Sequence, residues 1–210
     1  MWKCRTRFVL LTVSVPMMQA GAGYGAWNPL QDSALISWWT CDEGTGGVVA
    51  DSSVHGNDGT FVYGSPAWTT GVYGKAVKLV GPALVQTPAL GVTLTEATMA
   101  GWSLPDGMQP DWASILMHRN PGLAHGFNLL ADQRLAYHWK DMDASWSFRG
   151  SACYAADEWT FCALTVRPTK ATFYVNGSAA SINTIAHGPA TWDSPLWRAE
   201  MATTLGGAAG

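Results

Sequence analysis

Short apolar runs separated by polar, glycine-rich turns make up most of the chain after residue 32. In the run ATMAGWS, Thr98, Ala100 and Trp102 fall on one side of an extended chain and the residues between them fall on the other. A period of two is expected of strands packed on one face. No segment carries a sustained helical stripe of apolar residues. The pattern therefore predicts an all-β protein built from two packed antiparallel sheets with little helix.

The turns between these runs have a chemistry suited to chain reversal. Glycine adopts positive φ freely, and asparagine and aspartate tolerate that region while hydrogen-bonding their own backbone. The segment DSSVHGNDGT at residues 51–60 contains all three, and Asn176-Gly177 suits a type I′ hairpin turn. We therefore expect a meander of antiparallel strands.

Basic residues followed by an apolar run open the chain. Lys3, Arg5 and Arg7 precede the mainly apolar residues 8–15, and small residues at positions 20–22 supply a cleavage site. This arrangement is typical of a secretory signal peptide. A membrane anchor is the alternative, but the apolar run falls well short of the ~20 residues that span a bilayer. We therefore expect a secreted or extracytoplasmic product with no membrane span.

The length of the chain suits one all-β domain after this leader. We divide its 210 residues into a signal peptide at residues 1–22, a lead-in at 23–32 and one domain at 33–210. The formal net charge is −3, and three of the 12 basic residues lie in the predicted leader. The rest of the chain is therefore more acidic, which disfavours a nucleic-acid partner because such partners need basic patches.

Three of the four cysteines follow the predicted leader. Cys153 and Cys162 flank a short acidic reversal, and a disulfide between them requires that the hairpin bring their Cα atoms within about 7 Å. Spacing alone does not decide connectivity, so the paired and unpaired states both stay open. Cys41 lies in an apolar run, where a small buried hydrophobe is expected. No Cys/His spacing resembles a zinc site.

The order of several short motifs carries a family resemblance. A two-tryptophan strand followed by DEGTGG, then HGNDGT, GVYGKA, the strand WTFCALTV and the hairpin FYVNG occur in this order. Together they resemble a LamG-like jelly-roll domain of the concanavalin A-like lectin/glucanase superfamily over roughly residues 33–207. The resemblance implies a concanavalin A-like, two-sheet antiparallel jelly-roll sandwich. It also implies binding more than catalysis.

The chain departs from the family at its end. Relatives continue after a Leu-Gly-Gly turn, here Leu205-Gly206-Gly207, into a last strand, whereas this sequence stops at Gly210. We therefore expect a domain that lacks that strand, with an unpaired sheet edge and a strip of uncovered core. An accessory interaction domain cut from a larger secreted protein is the matching alternative for its function.

Carboxylate and amide side chains are concentrated in two turns early in the domain. Calcium takes oxygen ligands from such side chains and from backbone carbonyls, so calcium is the candidate cofactor. The alternative is that these side chains cap turns by accepting hydrogen bonds from nearby amides. The resemblance implies that an acidic pair on the missing strand would complete such a site. The candidate metal ligands are Asp42, Glu43, Asp51, Asn57 and Asp58.

Twelve tryptophans in one chain favour a sugar-binding hypothesis. Flat aromatic faces bind the apolar faces of pyranose rings, while polar neighbours bind the hydroxyls. Core packing is the alternative for each ring, and Trp39, Trp102 and Trp159 are assigned to the core. The candidate ligand-binding residues are those next to polar residues on loops or mid-chain strands, namely Trp112, Trp139, Trp146 and Trp192.

Catalysis would require reactive side chains that come together in one cleft. A glycoside hydrolase needs two carboxylates about the scissile bond, and Asp141 with Asp143 or Asp157 with Glu158 are the candidates. Both pairs are better explained as solvated loop residues, and no Gly-x-Ser-x-Gly elbow occurs. We expect a non-catalytic module that binds a glycan or an extracellular protein. A hydrolase of the same superfamily is the alternative.

Overall fold

The computed structural model describes residues 4–11, 32–64, 66–79, 83–107, 109–120, 123–151 and 154–198. These residues form seventeen strands and one short helix. In chain order the elements are β1 Cys4–Leu11, β2 Leu35–Trp39, β3 Val48–Val49, β4 Gly59–Phe61, β5 Ala67–Thr70, β6 Lys75–Leu79, β7 Val85–Ala89, β8 Val92–Leu94, β9 Ala97–Ser103, β10 Ala113–Asn120, β11 Leu123–Leu129, β12 Leu135–Trp139, α1 Asp143–Trp146, β13 Thr160–Arg167, β14 Lys170–Val175, β15 Ser178–Asn183, β16 Ala190–Trp192 and β17 Pro195–Arg198.

Most of the strands belong to two antiparallel sheets. An eight-stranded sheet has the order β15-β14-β13-β9-β1-β6-β5, with β2 also paired to β1. A seven-stranded sheet has the order β12-β11-β10-β17-β7-β4-β3, and β16 pairs separately with β8. The prediction of an all-β antiparallel sandwich with little helix is therefore confirmed. Within the described residues, no helix has the length and apolar character needed to cross a bilayer.

The hydrophobic core lies between the two large sheets. Met99, Leu164 and Phe173 enter it from the eight-stranded sheet, and Phe127 and Tyr137 enter it from the seven-stranded sheet. All five are at most 1% exposed. The rings of Tyr137 and Phe173 meet edge to face with centroids 5.7 Å apart. The sheets are therefore held by direct contact of large side chains, each contributing about 1.5–3 kcal/mol on burial.

Strand alternation decides which residues face away from this core. Tyr137 and Trp139 on β12 belong to the core, so His138 between them points to the opposite side. On the neighbouring β11, Asn128 follows the core residue Phe127 and also takes the outward side. The outer face of the seven-stranded sheet therefore carries polar side chains near the ends of β11 and β12.

The same alternation corrects one expectation about β9. Met99 is fully buried in the core, and Trp102, three residues further along, has the opposite parity. Trp102 is half-buried and packs on Phe161 with ring centroids 5.5 Å apart. The assignment of Trp102 to the core is therefore wrong. Trp39 is in the core as expected, whereas Trp159 is only half-buried.

Gly126 of β11 is required by a close approach of two backbones. It has a φ of +139°, and a Cβ built there would lie 2.1 Å from the carbonyl oxygen of Leu116 on β10. The register between these strands shifts between Ser114 and Leu116. A β-bulge of this kind presses one strand onto the other, and only glycine leaves enough room.

β1 occupies an interior position in the eight-stranded sheet. It pairs with β9 along one side and with β2 and β6 along the other. Its residues fall inside the segment predicted to be a signal peptide, and that prediction is not tested by the fold. The Leu-Gly-Gly turn at residues 205–207, where the last strand of relatives was expected to begin, lies outside the described residues.

Candidate functional site

Two of the four candidate tryptophans meet at the surface. The rings of Trp112 and Trp146 approach edge to face, with centroids 6.5 Å apart and planes inclined by 65°. Trp146 is 37% exposed and Trp112 is half-buried. The structure therefore brings these two rings together where a ligand could contact them.

The other two candidates are core residues. Trp139 and Trp192 are both 0% exposed, and their ring centroids lie 6.4 Å apart. Trp139 takes the core side of β12 because it shares parity with Tyr137. Trp192 of β16 packs on the ring of His118, 5.5 Å away. The expectation that Trp139 and Trp192 lie at the surface is therefore wrong.

The backbone of Trp112 is held in an uncommon conformation. Its φ is +70°, a region that bulky residues rarely adopt without support. Asn128 donates from Nδ2 to the Trp112 carbonyl at 3.3 Å and to Ser114 Oγ at 2.8 Å. The preceding Asp111 accepts a hydrogen bond from the amide of Ala131 at 3.0 Å. These contacts fix the loop that carries Trp112 against the end of β11.

Trp146 is fixed by the contacts of α1. Ser145 is fully buried, and its Oγ accepts a hydrogen bond from the amide of Trp139 at 3.1 Å. Asn183 donates from Nδ2 to the carbonyl of Ala144 at 2.8 Å. A single helical turn has little stability of its own, so these tertiary hydrogen bonds hold it in place. These contacts therefore fix the position of the helical turn that carries the Trp146 ring.

Charged groups surround the two rings. The guanidinium carbon of Arg149 lies 4.8 Å from the centroid of the Trp112 ring, which is a cation–π geometry. Arg149 also donates from Nη1 to the carbonyl oxygen of Trp146. The indole Nε1 of Trp146 donates to Asp143 Oδ1 at 3.0 Å. Arg149 and Asp143 therefore orient the rings and place hydrogen-bonding groups beside them.

His138 and Asp141 extend this surface along β12. The ring of His138 lies 5.3 Å from that of Trp112, and its Nδ1 is 3.0 Å from Asp141 Oδ1. Burial lowers the pKa of His138, with Asp141 opposing the shift and the charges of Arg119 and Arg149 adding to it. The ring is therefore neutral at pH 7. Its Nδ1–H then donates to Asp141, which leaves Nε2 as an acceptor.

These residues form one cluster of mutual contacts next to the outer face of the seven-stranded sheet, in which His138 is buried and the others are at least partly exposed. The tryptophan patch comprises Trp112, Trp146, Arg149, His138, Asp141 and Asp143. Its arginine, histidine and tryptophan–tryptophan pairing were not predicted from the sequence, because residues 112, 138 and 149 lie on separate segments that only the fold brings together.

The candidate calcium ligands have other partners. Oδ1 of Asp51 accepts hydrogen bonds from the amides of Trp38 at 2.8 Å and Ser53 at 2.9 Å. Oδ2 of the same carboxylate accepts from the amide of Asn57 at 2.9 Å. Asp58 in turn accepts from the amide of Asp51 at 2.7 Å. This pattern is the turn capping considered as the alternative to metal binding.

Asp42 and Glu43 follow the same pattern. Asp42 Oδ1 accepts from the amide of Lys75 at 2.7 Å, and Glu43 Oε1 accepts from the amide of Ala50 at 2.9 Å. Over the part of the chain that the structure describes, no group of three or more His, Cys, Asp or Glu residues can hold a metal ion. Turn capping therefore accounts for the four carboxylates, and calcium binding by the five residues stays a prediction.

The cysteine predictions have separate outcomes. Cys41 is 3% exposed and lies in the core, as expected of a small buried hydrophobe. Cys162 on β13 is fully buried, in register with Val175 of β14. Cys153 lies outside the described residues, so the Cys153–Cys162 disulfide stays a prediction.

The two acidic pairs belong to different parts of the fold. Asp141 and Asp143 follow β12 of the seven-stranded sheet and form part of the tryptophan patch. Asp157 and Glu158 are exposed in the loop before β13 of the eight-stranded sheet, where the amide of Asp157 donates to the Pro105 carbonyl at 2.7 Å. The pairs are therefore attached to different sheets.

A buried histidine pair was missed by the sequence reasoning. The rings of His118 and His125 stack with centroids 5.0 Å apart and planes inclined by only 9°, and both residues are fully buried. They are directly paired across the β10–β11 hairpin. Burial, together with the charges of His118 and Lys140, lowers the pKa of His125 to about 4. Their equal spacing on either side of the Pro121-Gly122 dipeptide in the sequence was the available signal.

The two facing antiparallel sheets and the loop-borne surface define a sandwich of the concanavalin A-like class. The profile of the Laminin_G_3 family, described as the concanavalin A-like lectin/glucanases superfamily, matches residues 81–207, more than half of the chain. The chain therefore belongs to this family. No curated protein sequence matches it.

Solved structures similar to this chain include two from bacteria. One is domain 4 of AbnA, a GH43 extracellular arabinanase from Geobacillus stearothermophilus, in complex with arabinotriose. It has a TM-score of 0.51 and 17% sequence identity, covering 72% of this chain and 87% of that domain. The other is the carbohydrate-binding module CBM66 from Bacillus subtilis, with a TM-score of 0.36 and 8% sequence identity, covering 66% of this chain and 91% of that module. The first likeness supports the sandwich fold.

Proposed function

We propose that the chain is a non-catalytic carbohydrate-binding module whose ligand rests on the tryptophan patch. The observation that carries this proposal is the pairing of Trp112 with Trp146 at a surface where Arg149 and Asp143 hydrogen-bond to the second ring or its backbone. Flat aromatic faces bind the apolar face of a sugar ring. Charged and amide groups around them bind its hydroxyls.

The rigidity of the patch favours ligand binding. Asn128 holds the backbone of Trp112, and Ser145 with Asn183 holds the helical turn that carries Trp146. Binding therefore orders few side chains, and each rotamer-rich side chain that need not be immobilised saves about 0.5–1.5 kcal/mol. A pre-formed aromatic surface is the kind of site that such modules require.

His138 supports the same surface from a buried position. Its neutral ring uses Nδ1 for Asp141, and its buried Nε2 has no hydrogen-bond partner. Because Nε2 is buried, a ligand resting on the patch does not reach it, and His138 contributes by packing its ring against Trp112. The groups that can bind glycan hydroxyls at the patch are therefore the more exposed Arg149, Asp141 and Asp143.

The fold comparison supports the same class of function. Domain 4 of the arabinanase was solved with arabinotriose, so a related sandwich binds an oligosaccharide. Because one architecture hosts many activities, this likeness sets a class of ligand to test first and does not name the sugar. We propose accordingly an extracellular glycan as the partner and an extracellular location for the chain.

Non-catalysis is part of the proposal. A glycosidase needs one carboxyl group to protonate the leaving oxygen and another to act as base or nucleophile. Asp141 is engaged by His138 and Asp143 by Trp146, so both carboxylates serve as positioning groups. Release of reducing sugar from a bound polysaccharide would overturn this part and favour a hydrolase.

The experiment is a glycan-array screen followed by calorimetric titration. The array includes arabino-oligosaccharides and other neutral and acidic glycans, and the full chain is tested with Trp146→Ala and Trp112→Ala variants. Trp102→Ala is the matched control, because Trp102 is also half-buried but lies on the other sheet.

We expect binding by the wild type and by Trp102→Ala, with an affinity loss of about tenfold or more in each patch variant, equivalent to about 1.4 kcal/mol. Absence of binding to every glycan would overturn the proposal in favour of a protein partner. Equal losses in all three variants would show that the patch is not the binding site.

A further inference from the structure

We infer that the eight-stranded sheet contains a strand-acceptor slot between β9 on one side and β2 with β6 on the other, and that it binds an extended segment. Residues 4–11 of the same chain are its occupant. The slot lies in the sheet opposite to the one that carries the tryptophan patch, so this inference does not rest on the proposed function.

The hydrogen-bonded register of β1 defines the slot. Val9 is paired antiparallel with Trp38 of β2 and with Ala100 of β9. Further along, Cys4 is paired with Leu79 of β6. In the order of the described strands, β9 reaches β6 only through β1. The segment is therefore an interior strand that joins two parts of the sheet.

The walls of the slot are built from core residues. Met99 of β9, in register with Leu10, is fully buried, and so is Trp39 of β2, in register with Phe8. Without a strand between them, the two walls would present backbone amides and carbonyls with no partners, next to exposed apolar side chains. Unpaired edges of this kind bind any extended chain of suitable pattern.

The occupant makes the slot functionally significant. Residues 4–11 have the sequence CRTRFVLL and lie within the segment that resembles a cleavable leader. One stretch of chain is therefore both a predicted leader and an interior strand. Cleavage near residues 20–22 would empty the slot, and the sheet would then require an equivalent strand from elsewhere.

The first test uses the full chain with Val9→Pro. Proline removes the backbone N–H and clashes with an interior strand, so it should expel β1 from the slot. Ser14→Pro is the matched control, since it lies in the leader-like segment but beyond Leu11, where β1 ends. We expect Val9→Pro to lower the midpoint of thermal unfolding by about 5 °C or more. Ser14→Pro should leave the midpoint unchanged.

The second test supplies the strand in trans. A fluorescent peptide of residues 4–11, carrying Cys4→Ser to prevent oxidation, is titrated against both chains by anisotropy, with a scrambled peptide as control. We expect the peptide to bind the Val9→Pro chain and to raise its unfolding midpoint, and not to bind the wild type, whose slot is filled. Equal binding to both chains, or to neither, would overturn the inference.

Hydrogen exchange on the wild-type chain keeps the inference testable if Val9→Pro does not fold. In a strand with neighbours on both sides, successive amides bond alternately to each neighbour. If β1 fills the slot, β9 has a paired strand on both sides and should show protection at consecutive amides from Thr98 to Trp102. Fast exchange at every second one would show that the slot is empty and that residues 4–11 are not its occupant.

Discussion

Arg149 lies over the Trp112 ring, with its guanidinium carbon 4.8 Å from the ring centroid. The same guanidinium donates to the backbone carbonyl of Trp146. Arg149 therefore links the two aromatic residues of the patch, one through its ring and the other through its backbone. Because the arginine covers part of the Trp112 ring, the more exposed Trp146 ring offers the larger stacking area to a ligand.

The first prediction concerns this link. Arg149→Ala should weaken glycan binding about tenfold, or about 1.4 kcal/mol, because Trp112 loses its cation–π partner and the patch loses a hydrogen-bond donor. Calorimetric titration measures the change. Arg134→Ala is the control, since Arg134 is a partly exposed arginine paired with Asp132 in the turn between β11 and β12. Similar losses in both variants would contradict the role given to Arg149.

The fold was predictable because its signals are local. Alternating strands and Asn/Asp/Gly turns each depend on a few neighbouring residues, and the structure confirms the sandwich they imply. Which side of a strand faces the core was harder to predict from the sequence. In ATMAGWS the side carrying Trp102 has the larger aromatic residue, yet the side carrying Met99 faces the core. Alternation with a period of two assigns side chains to two faces of a strand, but it does not say which face packs on the core.

The site was only half predictable for a related reason. All five residues of β12 are buried, including the polar His138. A polar neighbour therefore does not mark an exposed strand here, and the sequence alone does not distinguish Trp139 from a surface tryptophan. Trp112 and Trp146 were identified because they lie next to polar residues in the sequence. Their contact with each other and with Arg149 depends on how the loops after β9 and β12 converge. That convergence is long-range, and no local pattern encodes it.

A second prediction concerns the carboxylate of Asp51. Its two oxygens accept hydrogen bonds from three backbone amides, including those of Trp38 and Asn57. Asp51→Ala should lower the free energy of unfolding by roughly 2–4 kcal/mol, because these partly buried donors lose a charged acceptor. Urea unfolding measures the loss.

An unfolding experiment with added calcium distinguishes the capping role of Asp51 from a role as a metal ligand. If Asp51 caps the turn, adding calcium or a chelator should leave the unfolding midpoint of the wild type unchanged. A rise in the midpoint with calcium that disappears in Asp51→Ala would restore the metal-site hypothesis for this turn.

A third prediction concerns the bulge at Gly126. Gly126→Ala should destabilise the fold by about 2 kcal/mol or more, because its Cβ would meet the Leu116 carbonyl oxygen at 2.1 Å and its φ of +139° is strained for any other residue. Gly177→Ala is an informative control. It also has a positive φ, but no atom lies within 4 Å of its added Cβ. Equal losses in the two variants would show that backbone strain, and not the close contact, sets the cost.

The last prediction concerns the pH dependence of stability. Burial lowers the pKa of His125 to about 4 in the folded chain, against about 6.5 when unfolded. Because the unfolded state binds more protons between these values, stability is complete above about pH 6.5 and is lost as the pH falls towards 4. His125 alone accounts for about 3 kcal/mol at the acidic limit.

Substitution tests whether this pair causes the acid sensitivity. His118, stacked on His125, also has a pKa lowered by burial, so its contribution has the same sign. In His125→Gln the loss of unfolding free energy between pH 7 and pH 4.5 should be smaller than in the wild type, whereas the exposed His55→Gln should retain the wild-type dependence. Urea unfolding across this range measures both. An unchanged slope in His125→Gln would assign the acid sensitivity to groups other than the stacked pair, because glutamine does not titrate and cannot bind the extra proton that an unfolded histidine takes up.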